Sequence, residues 1–395
     1  MKAVLPLLRD HHTHVSFYAA LGAAADLSGC ATAAEALAAL GRQPGPLALA
    51  RGWRDNLYAL PAAELDRLGP AAVCNISLHS FRFNAAAREL IAPRWPEVAA
   101  RIDDQAWVER HLNLVFELFT AGGAAAIPAY LDGLARLGVW AAEDMLVSSD
   151  EAALLLARDY RGRVALWTEP DCLERLGPEA RRAVGGLKLF TDGALGARTA
   201  ALAGAYRDGG RGLLLHADAE LDALLGRAAD LTGRAAVHAI GDAALEQLLG
   251  AAERHGRGLA LRVEHAQLIT PEQARRAKRL GAALCMQPNF SDDSLSYADR
   301  LPEAYLRANN PFRMLIDEAG FVPGEDLLFG SDGMPHGARP ALQAALFPPF
   351  PGQRLTLEEF AAGYCLPDLA AGRLEVEVDE GARRVEVKAA LEGAR

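Results

Sequence analysis

The chain opens with Asp10-His11-His12-Thr13-His14, two imidazoles two residues apart within the first fifteen residues. On an extended strand that spacing puts His12 and His14 on one face, where both rings can reach a single divalent ion. Asp10 falls on the same face and could orient a ligating ring. The apolar run Val4 to Leu8, broken by Pro6, reads as the strand that carries the motif. A His-X-His pair is common by chance, so the chemistry depends on matching donors further along.

Such donors follow. Lys188 stands inside the apolar run Gly186–Phe190, in a chain whose other lysines are Lys2, Lys278 and Lys388. A buried ammonium is costly unless it is paired or neutral. Asp192 or Glu264 could pair with it. Alternatively the neutral amine could react with carbon dioxide, giving an anionic carbamate able to bridge two cations. His238 and His265 each follow a β-rich run, where a lone histidine is more often a hydrogen-bonded core residue than a ligand. Two of them at successive strand ends, beside a His-X-His, favour the ligand reading. Asp332, in Phe-Gly-Ser-Asp-Gly, could act there too or could merely cap a turn. His79, His216 and His336 are less constrained, and His11, His111 and His255 carry no argued role.

The elements that must position these residues alternate regularly after residue 138. Strands are expected at Val139–Ala142, Val164–Thr168, Gly186–Phe190, Ala235–Ile240, Ala260–Glu264, Ala282–Met286 and Leu327–Gly330. Helical patterns occupy 151–158, 219–232, 242–255, 271–280 and 303–319, and Thr270-Pro271-Glu272-Gln273 is a strong helix start. With the first strand the count is eight, which predicts an α/β fold, a closed (β/α)8 TIM barrel. All the chemistry-bearing residues then stand at the C-terminal ends of strands. Thr32 and Glu35 suggest a capping box opening a helix through Leu40, and further helices are expected at 104–119 and 130–137. Residues 42–103, rich in Pro, Gly and aromatics, read as an irregular insertion after the first strand. They are expected to cover the barrel mouth and bring Trp53 and His79 near the pocket. The domains are therefore 1–372, the barrel with its insertion, and 373–395, a tail whose period-two alternation about Asp379-Glu380-Gly381-Ala382 predicts a β-hairpin.

Composition narrows the partners. A net charge of −10 without any basic run argues against nucleic acid. No uncharged apolar stretch reaches membrane-spanning length, and Pro6 and Arg9 spoil any signal peptide. Five scattered cysteines (Cys30, Cys74, Cys172, Cys285, Cys365) form no Cys-X-X-Cys and read as thiols of a reducing compartment. A cytoplasmic protein with a small-molecule substrate is expected, homo-oligomerisation being open.

Five blocks in order resemble the amidohydrolase superfamily, and within it amidohydrolase family 3 (YtcJ-like metal-dependent hydrolases). They are the Asp10–His14 motif, the stretch from Gly186 to Leu202, Val237 to Ala244, Val263 to Gln267 and Phe329 to Asp332. Gly52-Trp53 and His79 to Asn84 match further family blocks, so the likeness runs from about Leu5 to Tyr364. It implies His12 and His14 on one metal, with His238 and His265 on a second or completing a single site. It further implies Lys188 as a bridge that is carboxylated if two ions bind, and Asp332 as ligand and proton shuttle. Zinc is the expected ion, as one or two. Two features depart from the pattern. The usual β-sandwich is reduced to a vestigial hairpin, and Arg54 stands where an acidic residue usually follows the Trp.

The implied reaction is hydrolysis of a C–N bond in a non-peptide amide by metal-activated water. Asp332 would move the proton, and His79 or His238 would help the metal hold the oxyanion. An adenosine-deaminase-like reaction needs a glutamate three residues after a barrel histidine, but Ala219 follows His216 and Gly241 follows His238 at that offset. A lactonase or phosphotriesterase would use nearly the same metal site. A catalytically inactive metal- or ligand-binding barrel is the alternative from another class.

Overall fold

Leu8–Thr13 (β1) buries Asp10 and His12 and leaves Arg9 and His11 half-buried, the alternation expected of a strand. In the computed structural model, which describes residues 1–43, 45–121, 123–256 and 258–392, β1 begins an eight-stranded sheet. The others are Val139–Asp144 (β2), Val164–Thr168 (β3), Val184–Phe190 (β4), Arg234–Ala239 (β5), Ala260–His265 (β6), Ala283–Met286 (β7) and Leu327–Phe329 (β8). Neighbours pair in parallel, in chain order from β1 to β8. After β8 the chain returns to β1: Asp332 N donates to His12 O (2.7 Å) and Ser331 N to Asp10 Oδ1 (2.9 Å). A Cβ on Gly330 would lie 2.5 Å from His12 N, so the close approach needs glycine. The expected TIM barrel is present, nearly closed.

Helices follow the expected rhythm at Asp150–Asp159, Asp218–Leu231, Asp242–His255 and Pro271–Leu280. The last has the full capping box, Thr270 and Gln273 exchanging side-chain bonds with each other's backbone N–H. Two helices break where one was expected. Glu303–Ala308 stops before Asn309-Asn310-Pro311, because a residue before proline avoids the α region. The 104–119 pattern divides into Gln105–Arg110 and Leu112–Thr120, and His111 Nδ1 bonds Trp107 O at 2.7 Å at the break.

Three boundaries differ from the sequence reading. The run from Val4 into the histidine motif is two strands. Lys2–Pro6 pairs antiparallel with Gly372–Asp379, which pairs antiparallel with Arg384–Leu391, in a separate three-stranded sheet. Pro6, with no N–H to give, suits that edge position. The C-terminal hairpin thus exists and gains an N-terminal strand; residues 393–395 of the tail lie outside the described residues. His14 falls just beyond β1, not on it. Finally, the insertion is wider than 42–103 and is not irregular. Phe17–Ala126 forms its own compact unit, and residues 1–16 with 127–395 form the other. It holds a four-stranded sheet (Ala25–Asp26, Ala48–Trp53, Ala71–Asn75, Phe81–Phe83) over a core including Leu27, Leu40, Trp53 and Val73. Its alanine-rich strands carry little β-propensity, which hid them. Among the described residues no single helix is long and apolar enough to cross a membrane.

Candidate functional site

His265 ends β6, His12 and His238 lie one residue before the ends of β1 and β5, and Lys188 lies two before the end of β4. His14 follows β1 directly, and Asp332 stands in the turn after β8 at φ +53°. All six belong to one unit and are buried, Lys188 completely at 0 % exposure. The His12 and His265 ring centroids are 4.6 Å apart, His238 and His265 4.5 Å, and His12 and His14 5.6 Å. Asp332 Oδ1 lies 3.2 Å from His14 Nε2 and 3.7 Å from His12 Nε2. One ligand atom each from His12, His265 and Asp332 falls within 4.8 Å of the other two, close enough to share a cation.

Hydrogen bonds to the far ring nitrogens set which nitrogen is available. His12 Nδ1 is 2.5 Å from Glu264 Oε2, and His265 Nδ1 is 2.7 Å from Gln287 Oε1. Each oxygen accepts a proton from Nδ1, leaving the lone pair on Nε2. His238 is reversed: Nε2 donates to Gly193 O at 3.0 Å, which puts its lone pair on Nδ1. Burial holds His12 and His265 far below the ordinary imidazole range, helped by the Lys188 charge at His12 and by His12 at His265. Both rings are therefore neutral, as ligands must be. Burial opposes ionisation of Asp332, but His12 and His14 outweigh it and hold its carboxyl below the usual range. Burial brings Lys188 down to about 8 against the pull of Glu264 and Asp332, and among the described residues its Nζ has no hydrogen-bond partner. Neutral imidazoles and a carboxylate, beside a buried lysine whose Nζ faces the Phe190 ring at 4.9 Å and no hydrogen-bond partner among the described residues, make a donor set that fits a divalent cation.

A second group, His12, Glu264 and Cys285, is equally tight. It suits a cation less well. Glu264 already faces Arg262 Nε at 2.5 Å, and burial raises the Cys285 thiol well above its ordinary value.

Other candidates are engaged elsewhere. Asp192, expected beside Lys188, accepts from Ala201 N (2.9 Å), Ile240 N (3.0 Å) and Gly241 N (2.8 Å), and so fastens the loop after β4 to the end of β5. Asp10 receives Ser331 N (2.9 Å), Ser331 Oγ (2.5 Å) and His12 N (3.2 Å) and meets the Tyr364 hydroxyl, and burial pushes its carboxyl up to about 7. It joins β8 to β1 and does not orient an imidazole. His79 lies in the Phe17–Ala126 unit, its Nδ1 2.6 Å from Glu109 Oε2. His336 Nε2 is 2.7 Å from Thr13 Oγ1 and 3.1 Å from the Tyr130 hydroxyl. Glu264, read in the sequence only as a possible partner of Lys188, and Gln287, to which the sequence reading assigned no role, aim two of the rings. Arg262 and Glu264 alternating with Leu261 and Val263 were the available signal, since charges on the inner face of a barrel strand must be paired.

The profile of the amidohydrolase family matches residues 2–357. Among curated proteins, "Putative amidohydrolase YtcJ" of Bacillus subtilis (strain 168) is 33% identical over 208 residues, 50% of this chain and 37% of that protein. "Protein LONG AFTER FAR-RED 3" of Arabidopsis thaliana is 34% identical over 143 residues, 34% of this chain and 24% of that protein. The matches thus span well under half the length of both relatives. Among solved structures, an uncharacterized metal-dependent hydrolase from Pyrococcus furiosus has a TM-score of 0.66 at 24% identity, covering 91% of this chain and 80% of that one. One from Pyrococcus horikoshii OT3 gives 0.66 at 24%, covering 87% and 74%. These two support the fold.

Proposed function

Because the chain belongs to the amidohydrolase family, a family of metal-dependent hydrolases, we propose that it cleaves a C–N bond in a small non-peptide amide, with zinc the expected ion. One observation carries the reading: His12, His265 and Asp332 present ligand atoms within 4.8 Å of one another. His12, His14 and His265 would offer Nε2, His238 would offer Nδ1, and Asp332 a carboxylate oxygen. A divalent ion held there supplies Lewis acidity, polarising a carbonyl and acidifying a water.

The chain's own groups supply the rest. Asp332, whose carboxyl is held below the usual range and lies 3.2 Å from His14 Nε2, takes the proton of the attacking water and returns it to the departing nitrogen. His238 spends its Nε2 proton on Gly193 O, so as a neutral ring it has none left for an oxyanion, and the ligand role suits it better than the catalytic one. Lys188 has two states. With one ion it remains an amine. With two, its neutral Nζ would add to carbon dioxide with loss of a proton, and the carbamate would supply one negative charge and two oxygens.

Chelation should abolish hydrolysis of an amide panel, and zinc should restore it. Full activity in metal-free protein would overturn the reading. Preference for lactones or phosphotriesters over every amide would overturn the bond assignment alone.

A further inference from the structure

Beneath the imidazoles the barrel interior holds a chain of charged side chains with no part in the scheme above. Glu143 on β2 receives Trp167 Nε1 (2.7 Å) and Arg262 Nη1 (2.8 Å) on Oε2, and its Oε1 lies 2.8 Å from His11 Nδ1. Arg262 on β6 also donates Nη2 to His11 O (3.1 Å) and Nε to Glu264 Oε1 (2.5 Å). The other oxygen of Glu264 is the one that meets His12 Nδ1 at 2.5 Å. The guanidinium lies over the Trp167 ring, 4.8 Å from its centroid. Gly186 makes room for that ring, since a Cβ there would meet it at 2.2 Å.

We propose that Arg262 is a positioning residue for His12. Its planar fork grips Glu264, Glu143 and the His11 carbonyl at once, so that Glu264 can present only its second oxygen to His12 Nδ1. Buried ion pairs of this kind are seldom more stabilising than apolar side chains of the same volume, so stability alone does not account for it. A rigid fork fixes an orientation that a lysine point charge cannot. The consequence is that His12 keeps its proton on Nδ1 and its Nε2 lone pair toward Asp332, before any ion arrives. Outer partners of this sort tune metal affinity.

The test has two arms, and only the second rests on the metal reading above. In metal-free protein labelled with 15N-histidine, long-range NMR correlations report the His12 tautomer. Wild type should show Nδ1–H. Arg262→Met should lose it or give a mixture, while circular dichroism confirms the fold. Zinc affinity by chelator competition should then weaken about 10- to 100-fold in Arg262→Met and less in Arg262→Lys. A folded Arg262→Met with wild-type tautomer and wild-type zinc affinity would overturn the proposal. Should that variant not fold, Arg262→Lys decides, since it keeps the charge and loses the fork; an unchanged tautomer and affinity there would overturn it equally. A wild type that binds no zinc would sink the metal reading and leave the tautomer arm to decide on Arg262.

Discussion

The barrel and the Phe17–Ala126 unit each hold a histidine whose Nδ1 bonds a buried glutamate: His12 with Glu264 at 2.5 Å, and His79 with Glu109 at 2.6 Å. The pairs look alike until their surroundings are compared. His12 belongs to a group of metal-ligating side chains within 4.8 Å, whereas among the described residues His79 belongs to no such group. Glu264 is itself held by an arginine on its own strand. Glu109 sits on the short helix Gln105–Arg110, one turn after Gln105, whose Nε2 bonds both Glu109 Oε1 (3.0 Å) and His79 O. A carboxylate–histidine pair is thus an orienting device in both regions, and convergence of further donors makes one of them a candidate centre.

Breaking the barrel side should have the largest effect. His12→Ala or His265→Ala should lower kcat/KM by about a thousandfold or more, since several kcal/mol of transition-state charge stabilisation is lost, and should release metal while the fold persists. Stoichiometric metal in either variant would remove that residue from the ligand set. Asp332→Asn should cost on the order of 10²–10⁴ in kcat, the usual range for a lost proton-transfer group. Comparable kcat in the variant would assign the shuttle elsewhere. On the other side of the comparison, the sequence reading gives His79 or His238 a hand on the oxyanion, and if His79 has that role His79→Ala should cost about a hundredfold in kcat with metal content unchanged. If kcat and KM stay at wild type, the His79–Glu109 pair is structural only. The smallest effect concerns pH. Burial would raise the Glu143 carboxyl, but Arg262 and His11 win and hold it at about 2 against an ordinary 4.5. A depressed carboxyl stabilises the fold fully above its unfolded value and loses that contribution as pH falls through the folded one. Glu143→Gln should therefore flatten the loss of stability between about pH 4.5 and 2, measured by urea unfolding, and a slope identical to wild type would deny the linkage.

The barrel was legible because its strands carry apolar runs and its helices carry caps, both local signals; Thr270 and Gln273 bond as their spacing predicts. The site was legible as a set of strand ends, since His12, Lys188, His238 and His265 all stand at the same end of one sheet. What stayed hidden depends on contacts distant in sequence. Asp192 looked like a partner for Lys188 but faces three backbone N–H groups, and neither choice is written in its neighbours. Glu264 aims a ring 252 residues away. The inserted unit escaped for a different reason. Ala48–Trp53 and Ala71–Asn75 are short and alanine-rich, so their strand character comes from packing in the unit's core.

The cluster of His12, His265 and Asp332 is where the proposed function requires a cation to bind. A crystal structure of zinc-loaded protein, with anomalous data at the zinc edge, tests it directly. The predicted result is an anomalous peak bonded to Nε2 of His12, Nε2 of His265 and a carboxylate oxygen of Asp332. A peak on His79 and Glu109 instead, or no peak in an active crystal, would contradict it.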